Sequence, residues 1–86
     1  MGSRTFDGVR FSAYSLDHTP PHVHGWLSGV SVVIDLLGDG EIRLSSRPRS
    51  VRPANAKRNV EERILRIAAE NVDELEALWE RTHGER

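Results

Sequence analysis

An α+β fold is what this 86-residue sequence predicts: a small three- to four-stranded antiparallel sheet with a C-terminal helix packed on one face. Three observations carry that reading. Apolar and polar residues alternate with a period of two through much of the first half, as half-buried strands require. Glycine-bearing turns separate those segments at hairpin spacing. From about Lys57 the apolar period becomes helical, and neither Gly nor Pro interrupts it before Gly84. A chain of this length reads as one domain, whose core shields only about 60–65% of the unfolded surface.

The elements follow in order. Val9-Arg10-Phe11-Ser12-Ala13-Tyr14 alternates and predicts a strand over about 9–15, while Met1-Gly2-Ser3 carries no structural weight. Pro20-Pro21 fixes two φ angles and removes two backbone donors, giving a stiff, extended lead-in. Strands over about 22–27 and 30–37 flank Ser28-Gly29, a two-residue hairpin turn. That register sets Val23 against Ile34, Gly25 against Val32 and Leu27 against Val30 on one face. The other face then carries His22 against Asp35, His24 against Val33 and Trp26 against Ser31.

Gly38-Asp39-Gly40 is the next turn, before a strand at about 41–44. A three-residue loop ending in Gly40 keeps the apolar face continuous, with Leu36 opposite Ile42 and Ile34 opposite Leu44. It also sets Asp35 beside Arg43. Residues 45–56 hold prolines, serines and arginines without periodicity and read as a loop. The helix spans about 57–82 on Val60, Ile64, Ile67, Ala68, Leu75, Leu78 and Trp79. Asn71 interrupts the stripe; one long helix, kinked or split there, is the preferred reading, and Asn71 as the cap of a second helix is the alternative. The predicted core is Val9, Phe11, Ala13, Val23, Leu27, Val30, Val32, Ile34, Leu36, Ile42, Ile64, Ile67, Leu75 and Leu78, with Trp79 closing the stripe.

Composition narrows the function classes. With no cysteine, thiolate metal sites, thiol nucleophiles and disulfide scaffolds are excluded. No apolar run approaches the roughly 18–20 residues of a membrane span. A cytoplasmic, prokaryote-type domain is the expectation. Charge is nearly balanced overall but unevenly placed: residues 43–66 hold eight cations against two carboxylates, and seven of those cations are arginine. Arginine suits bidentate contact with phosphate or carboxylate. The plainer alternative is a solvated connector paired with the acidic last third.

The densest chemistry lies in Asp17-His18-Thr19-Pro20-Pro21-His22-Val23-His24. Strand periodicity puts His22 and His24 on one face, and His18 approaches on the diproline arm. Three uses compete. His18, His22 and His24, with Asp17 or Asp35 as fourth ligand, make an acceptable set for a divalent metal such as zinc, nickel or iron. His22 and His24 as general acid and base, with Arg43 and loop arginines on phosphate, would suit a small RNA-directed nuclease. The third use is a binding face built on Tyr14, Trp26 and the histidines, with Arg47, Arg49, Arg52, Lys57 and Arg58 nearby. Whether the chain is an enzyme stays open at this level.

The run from Val9 to His24 resembles the signature of the bacterial domain of unknown function 4160: an aromatic strand, Asp-His-x-Pro-Pro-His-x-His, then an apolar hairpin. Glu70, Asn71, Glu74, Leu75 and Trp79 match that family's closing helix, while the basic 45–58 segment is longer than is usual in it. The resemblance implies a two-gene, toxin–antitoxin-like pairing with a small partner of the domain of unknown function 2442 type. It assigns no activity to particular residues. With that context the binding module is favoured, its partner a small cognate protein or a second copy of the chain. Nucleic acid is a further candidate partner, for which weak or no binding by the isolated domain is expected.

Overall fold

The computed structural model describes residues 2–14 and 20–83. Six strands and two helices follow one another: β1 Gly2–Phe6, β2 Val9–Ala13, β3 His22–Leu27, β4 Val30–Leu36, β5 Ile42–Leu44, β6 Val51–Arg52, α1 Arg58–Glu70 and α2 Val72–His83. The strands form one antiparallel sheet in the order β1-β2-β3-β4-β5, and β6 also pairs with β4. β5 and β6 are thus two pieces of the same edge, separated by the 45–50 loop.

The α+β class is as the sequence predicts, and the central hairpins keep their expected register. His22 pairs with Asp35, Val23 with Ile34, Gly25 with Val32 and Leu27 with Val30. Across the next pair, Ile34 faces Leu44, Asp35 faces Arg43 and Leu36 faces Ile42. Both turns run through left-handed backbone, at Ser28 (φ 52°) and Gly29 (φ 78°), and at Gly38 (φ 88°) and Gly40 (φ 85°). The strand expected over 9–15 ends at Ala13, and those expected over 30–37 and 41–44 are each one residue shorter.

Three to four strands was an undercount. β1 exists because Asp7-Gly8 makes a two-residue turn with φ 50° and 84°, bringing Phe6 opposite Val9. Asp-Gly is a strong hairpin signal, because both positions must take positive φ and the twist then matches the flanking strands. β6 lies inside the segment expected to be loop: Val51 faces Val32 and Arg52 faces Ser31. Two apolar residues in register are enough to extend an edge beside a formed neighbour.

The helix is split. Asn71 adopts φ −127° and ψ 28°, its N–H donates to the Ala68 carbonyl at 3.1 Å, and its Nδ2 donates to the Ile67 carbonyl at 2.8 Å. The split falls at Asn71, where the sequence placed a kink or break, so the helix is not continuous; the Asn71 side chain turns back to close α1 rather than forward to cap α2. The break lets each half reach the sheet separately: α1 packs over β3, β4 and β5, and α2 chiefly over β1 and β2.

The core between sheet and helices is built from Val9, Phe11, Ala13, Val23, Val30, Val32, Ile34 and Leu36 below and Ile64, Ile67, Ala68, Leu75, Leu78 and Trp79 above. Leu27 and Ile42, expected inside, are partly buried at its margin. Gly25 admits α1 closely: a Cβ there would stand 2.8 Å from Ile64 Cγ2 and 3.0 Å from Phe11 Cε1. Among the described residues, no helix is long and apolar enough to cross a membrane.

Candidate functional site

Because β3 alternates, the side chains that do not meet the helices form the opposite sheet face. The strand register makes that face a set of rows running across the strands. One row is His22, Asp35, Arg43. The middle row is Ser3, Ser12, His24, Val33. The third is Thr5, Arg10, Trp26, Ser31, Arg52. Tyr14, just past β2, places its ring 5.1 Å from that of His24, edge to face.

The two histidines of the motif share the face, with ring centroids 5.4 Å apart, but their surroundings differ. His22 is only 1% exposed, whereas His24 is half-buried. The open face expected for both is therefore closed at His22. Periodicity assigns a residue to a face; it does not reveal what reaches round the end of the sheet. Here Trp79 of α2 does so, its ring 5.5 Å from His22 and stacked at 3.5 Å on His83.

From the other side comes Arg47. The Pro20 carbonyl can only accept, so His22 Nδ1 carries a proton and donates to it at 2.9 Å. Arg47 Nη1 lies 3.1 Å from Nε2, the ring nitrogen without a proton. The 3.3 Å approach of Arg47 Nη2 to Nδ1 sets two donors together and is not a hydrogen bond. With both contacts this short, the guanidinium lies across the imidazole and stands between Nε2 and an approaching metal or phosphate.

The loop that delivers Arg47 is braced. Both backbone groups of Val33 pinch its base, through Ser45 N–H to the Val33 carbonyl (3.0 Å) and Val33 N–H to the Ser50 carbonyl (2.8 Å). Inside it, Arg47 N–H donates to Ser45 Oγ (3.1 Å) and Ser50 Oγ donates to the Arg47 carbonyl (2.6 Å). The two serines are buried. Sequence reasoning passed over them because serine in a polar stretch looks like solvent-facing filler.

Asp35 is also buried, at 6% exposure. Its Oδ2 lies 3.7 Å from Arg43 Nε, while Oδ1 has no hydrogen-bond partner. It does not pair with His22, the other neighbour the register offered. Ser12 Oγ is likewise buried without a partner. Such atoms cost stability unless something satisfies them.

The remaining candidates separate by position. Tyr14, His24 and Trp26 are half-buried on the face, and Arg10, Arg43 and Arg52 are exposed around them. Arg10 Cζ sits 5.5 Å over the Trp26 ring, a cation–π contact that sequence reading did not single out. Arg49 is exposed in the loop at φ 62°. Lys57 and Arg58 begin α1, on the far side of the sheet. Asp17 and His18 lie outside the described residues. Among the described residues, no three of His, Asp or Glu gather as a metal centre would require.

A family model matches residues 8–80, that of the domain of unknown function 4160 (DUF4160). Neither a curated protein nor a solved structure matches the chain.

Proposed function

The chain belongs to the domain of unknown function 4160 family, and on that premise we propose that it is a small bacterial, cytoplasmic binding module. It works as one half of a toxin–antitoxin-like two-gene pair, through protein–protein contact on the sheet face turned away from the helices. The observation that carries the reading is the row of half-buried rings, Tyr14, His24 and Trp26, on a face that α1 and α2 leave to other partners. Aromatic residues rimmed by arginine are the composition that concentrates binding energy at protein interfaces. The fixed backing of β3 supports it further, because a preorganised surface loses less freedom on association.

Co-expression with the neighbouring small gene tests the proposal. A stable heteromeric complex is expected, and Trp26→Ala is expected to weaken it by about 2 kcal/mol, the scale of an interface hot spot. A folded Trp26→Ala chain that binds its partner unchanged would remove this face from the function. Failure of the two products to co-purify, with no growth effect from either, would remove the two-component reading.

The nuclease alternative draws less support. His22 is enclosed and both its ring nitrogens have partners, so a phosphodiester would have to displace Arg47 before the ring could exchange a proton.

A further inference from the structure

The same face has a charge pattern that its rows make legible. Arg10 and Arg52 stand in one row with Trp26 and Ser31 between them, three strand spacings apart, or about 14 Å. Arg43 lies four residues along the sheet from Arg52, again about 14 Å. Three arginines thus mark three corners of a patch whose interior is His24, Val33, Trp26 and Ser31. Within these rows the one carboxylate is Asp35, buried and already beside Arg43. The rim is cationic.

Resting on the binding-module reading, we propose that the occupant of this patch is an acidic protein segment. Its carboxylates would meet Arg10 and Arg52, whose backbone positions are about 14 Å apart, with an apolar or small side chain seated between them beside Trp26. Arginine offers a planar fork that matches a carboxylate with two parallel hydrogen bonds. An extended chain presents same-side residues at a spacing that reaches this distance at positions i and i+4.

A single-stranded nucleic acid is the rival for a basic, aromatic sheet. It needs free ring faces, because bases bind by stacking on them. Here those faces are partly taken. His24 and Trp26 stand parallel, 19° apart with centroids at 6.0 Å, Arg10 covers Trp26, and Tyr14 meets His24 edge to face. The guanidinium groups at the rim offer charge-assisted pairing with carboxylates, which does not depend on free ring faces.

The test uses the full chain and two labelled probes, a twelve-residue oligoglutamate peptide and a twelve-nucleotide oligo(U) RNA, followed by fluorescence anisotropy at physiological salt. The peptide is expected to bind the more tightly. Arg10→Glu and Arg52→Glu should each weaken it about tenfold or more, whereas Arg58→Glu, the same charge change on α1, should alter it less than about twofold. Equal losses from all three variants would mean bulk charge rather than this patch, and tighter RNA binding would mean the rival is correct; either overturns the proposal. Circular dichroism of each variant confirms that it is folded. The cognate complex separates the two levels of argument. If Trp26→Ala abolishes it while Arg10→Glu and Arg52→Glu leave it intact, the binding module stands and the acidic occupant falls.

Discussion

Replacing Gly25 with alanine tests the register on which every statement about the functional face depends. Gly25 lies between His24 and Trp26 in β3 and points the opposite way, into the core. The added Cβ would meet Ile64 Cγ2 at 2.8 Å and Phe11 Cε1 at 3.0 Å. Carbon pairs rest near 3.5–4.0 Å, so both contacts are too short by roughly half an ångström or more. Ile64 and Phe11 are each 0% exposed and have no open space to yield into. Overpacking of this kind costs about 1–3 kcal/mol, and the reduced freedom of the unfolded alanine chain returns about 0.4–1 kcal/mol. A net loss of about 1–2 kcal/mol is expected, a large share of the roughly 4–13 kcal/mol available to a domain this size. Urea unfolding followed by circular dichroism measures it. Ile64→Leu removes the β-branch that supplies Cγ2, so the double variant should recover part of the loss, a coupling of about 0.5 kcal/mol or more. An alanine variant as stable as the parent, or strict additivity with Ile64→Leu, would refute the placement of β3 beneath α1.

Gly8→Ala should also destabilise, by about 1 kcal/mol, for a different reason: φ is 84° and nothing stands within 4 Å, so only the backbone is strained and no second-site change in packing should rescue it. Ser50→Ala removes the 2.6 Å bond to the Arg47 carbonyl at a buried site; a loss of about 1 kcal/mol is expected by urea unfolding, with faster amide exchange confined to the 45–50 loop. Zinc titrated by calorimetry into Arg47→Ala should bind more tightly than into the parent chain, because Arg47 otherwise holds His22 Nε2; equal affinity would place any metal away from that nitrogen. Arg4→Ala, which breaks an ion pair with Glu74 between half-exposed side chains, should change stability by less than about 1 kcal/mol.

What could be read from the residues was whatever local chemistry decides. Ser28-Gly29 and Gly38-Asp39-Gly40 set turn lengths, and turn length together with a continuous apolar face leaves one register for β3, β4 and β5. β1 was equally legible through Asp7-Gly8. It was missed because Gly2–Phe6 is mostly exposed and lacks the alternation of a half-buried strand. The split at Asn71 was visible as an interruption, but the direction in which the amide bonds is settled by packing of the two helices on a twisted sheet. The candidate site divides the same way. Face membership of His22, His24, Trp26, Asp35 and Arg43 follows from period two. The closure over His22 does not, since Trp79 and Arg47 arrive from elements far along the chain.

The motif that looks like one site in the sequence is therefore two kinds of residue in the fold. His22 is an internal tie: its ring links the diproline arm, through the Pro20 carbonyl, to Arg47 in the edge loop, and it packs on Trp79 at the end of α2. Those three segments are distant in sequence, and a small core gains from a buried polar group only when its hydrogen bonds are met, as both nitrogens of His22 are. His24, two residues on, sits in the middle row between Ser12 and Val33, flanked by Tyr14 and Trp26 and half-buried. A ligand reaching this face meets His24 first and finds His22 already enclosed. The spacing His-x-His then has a structural meaning independent of shared chemistry: period two lets one histidine fasten the end of the strand while the next lies among the rings of the exposed face.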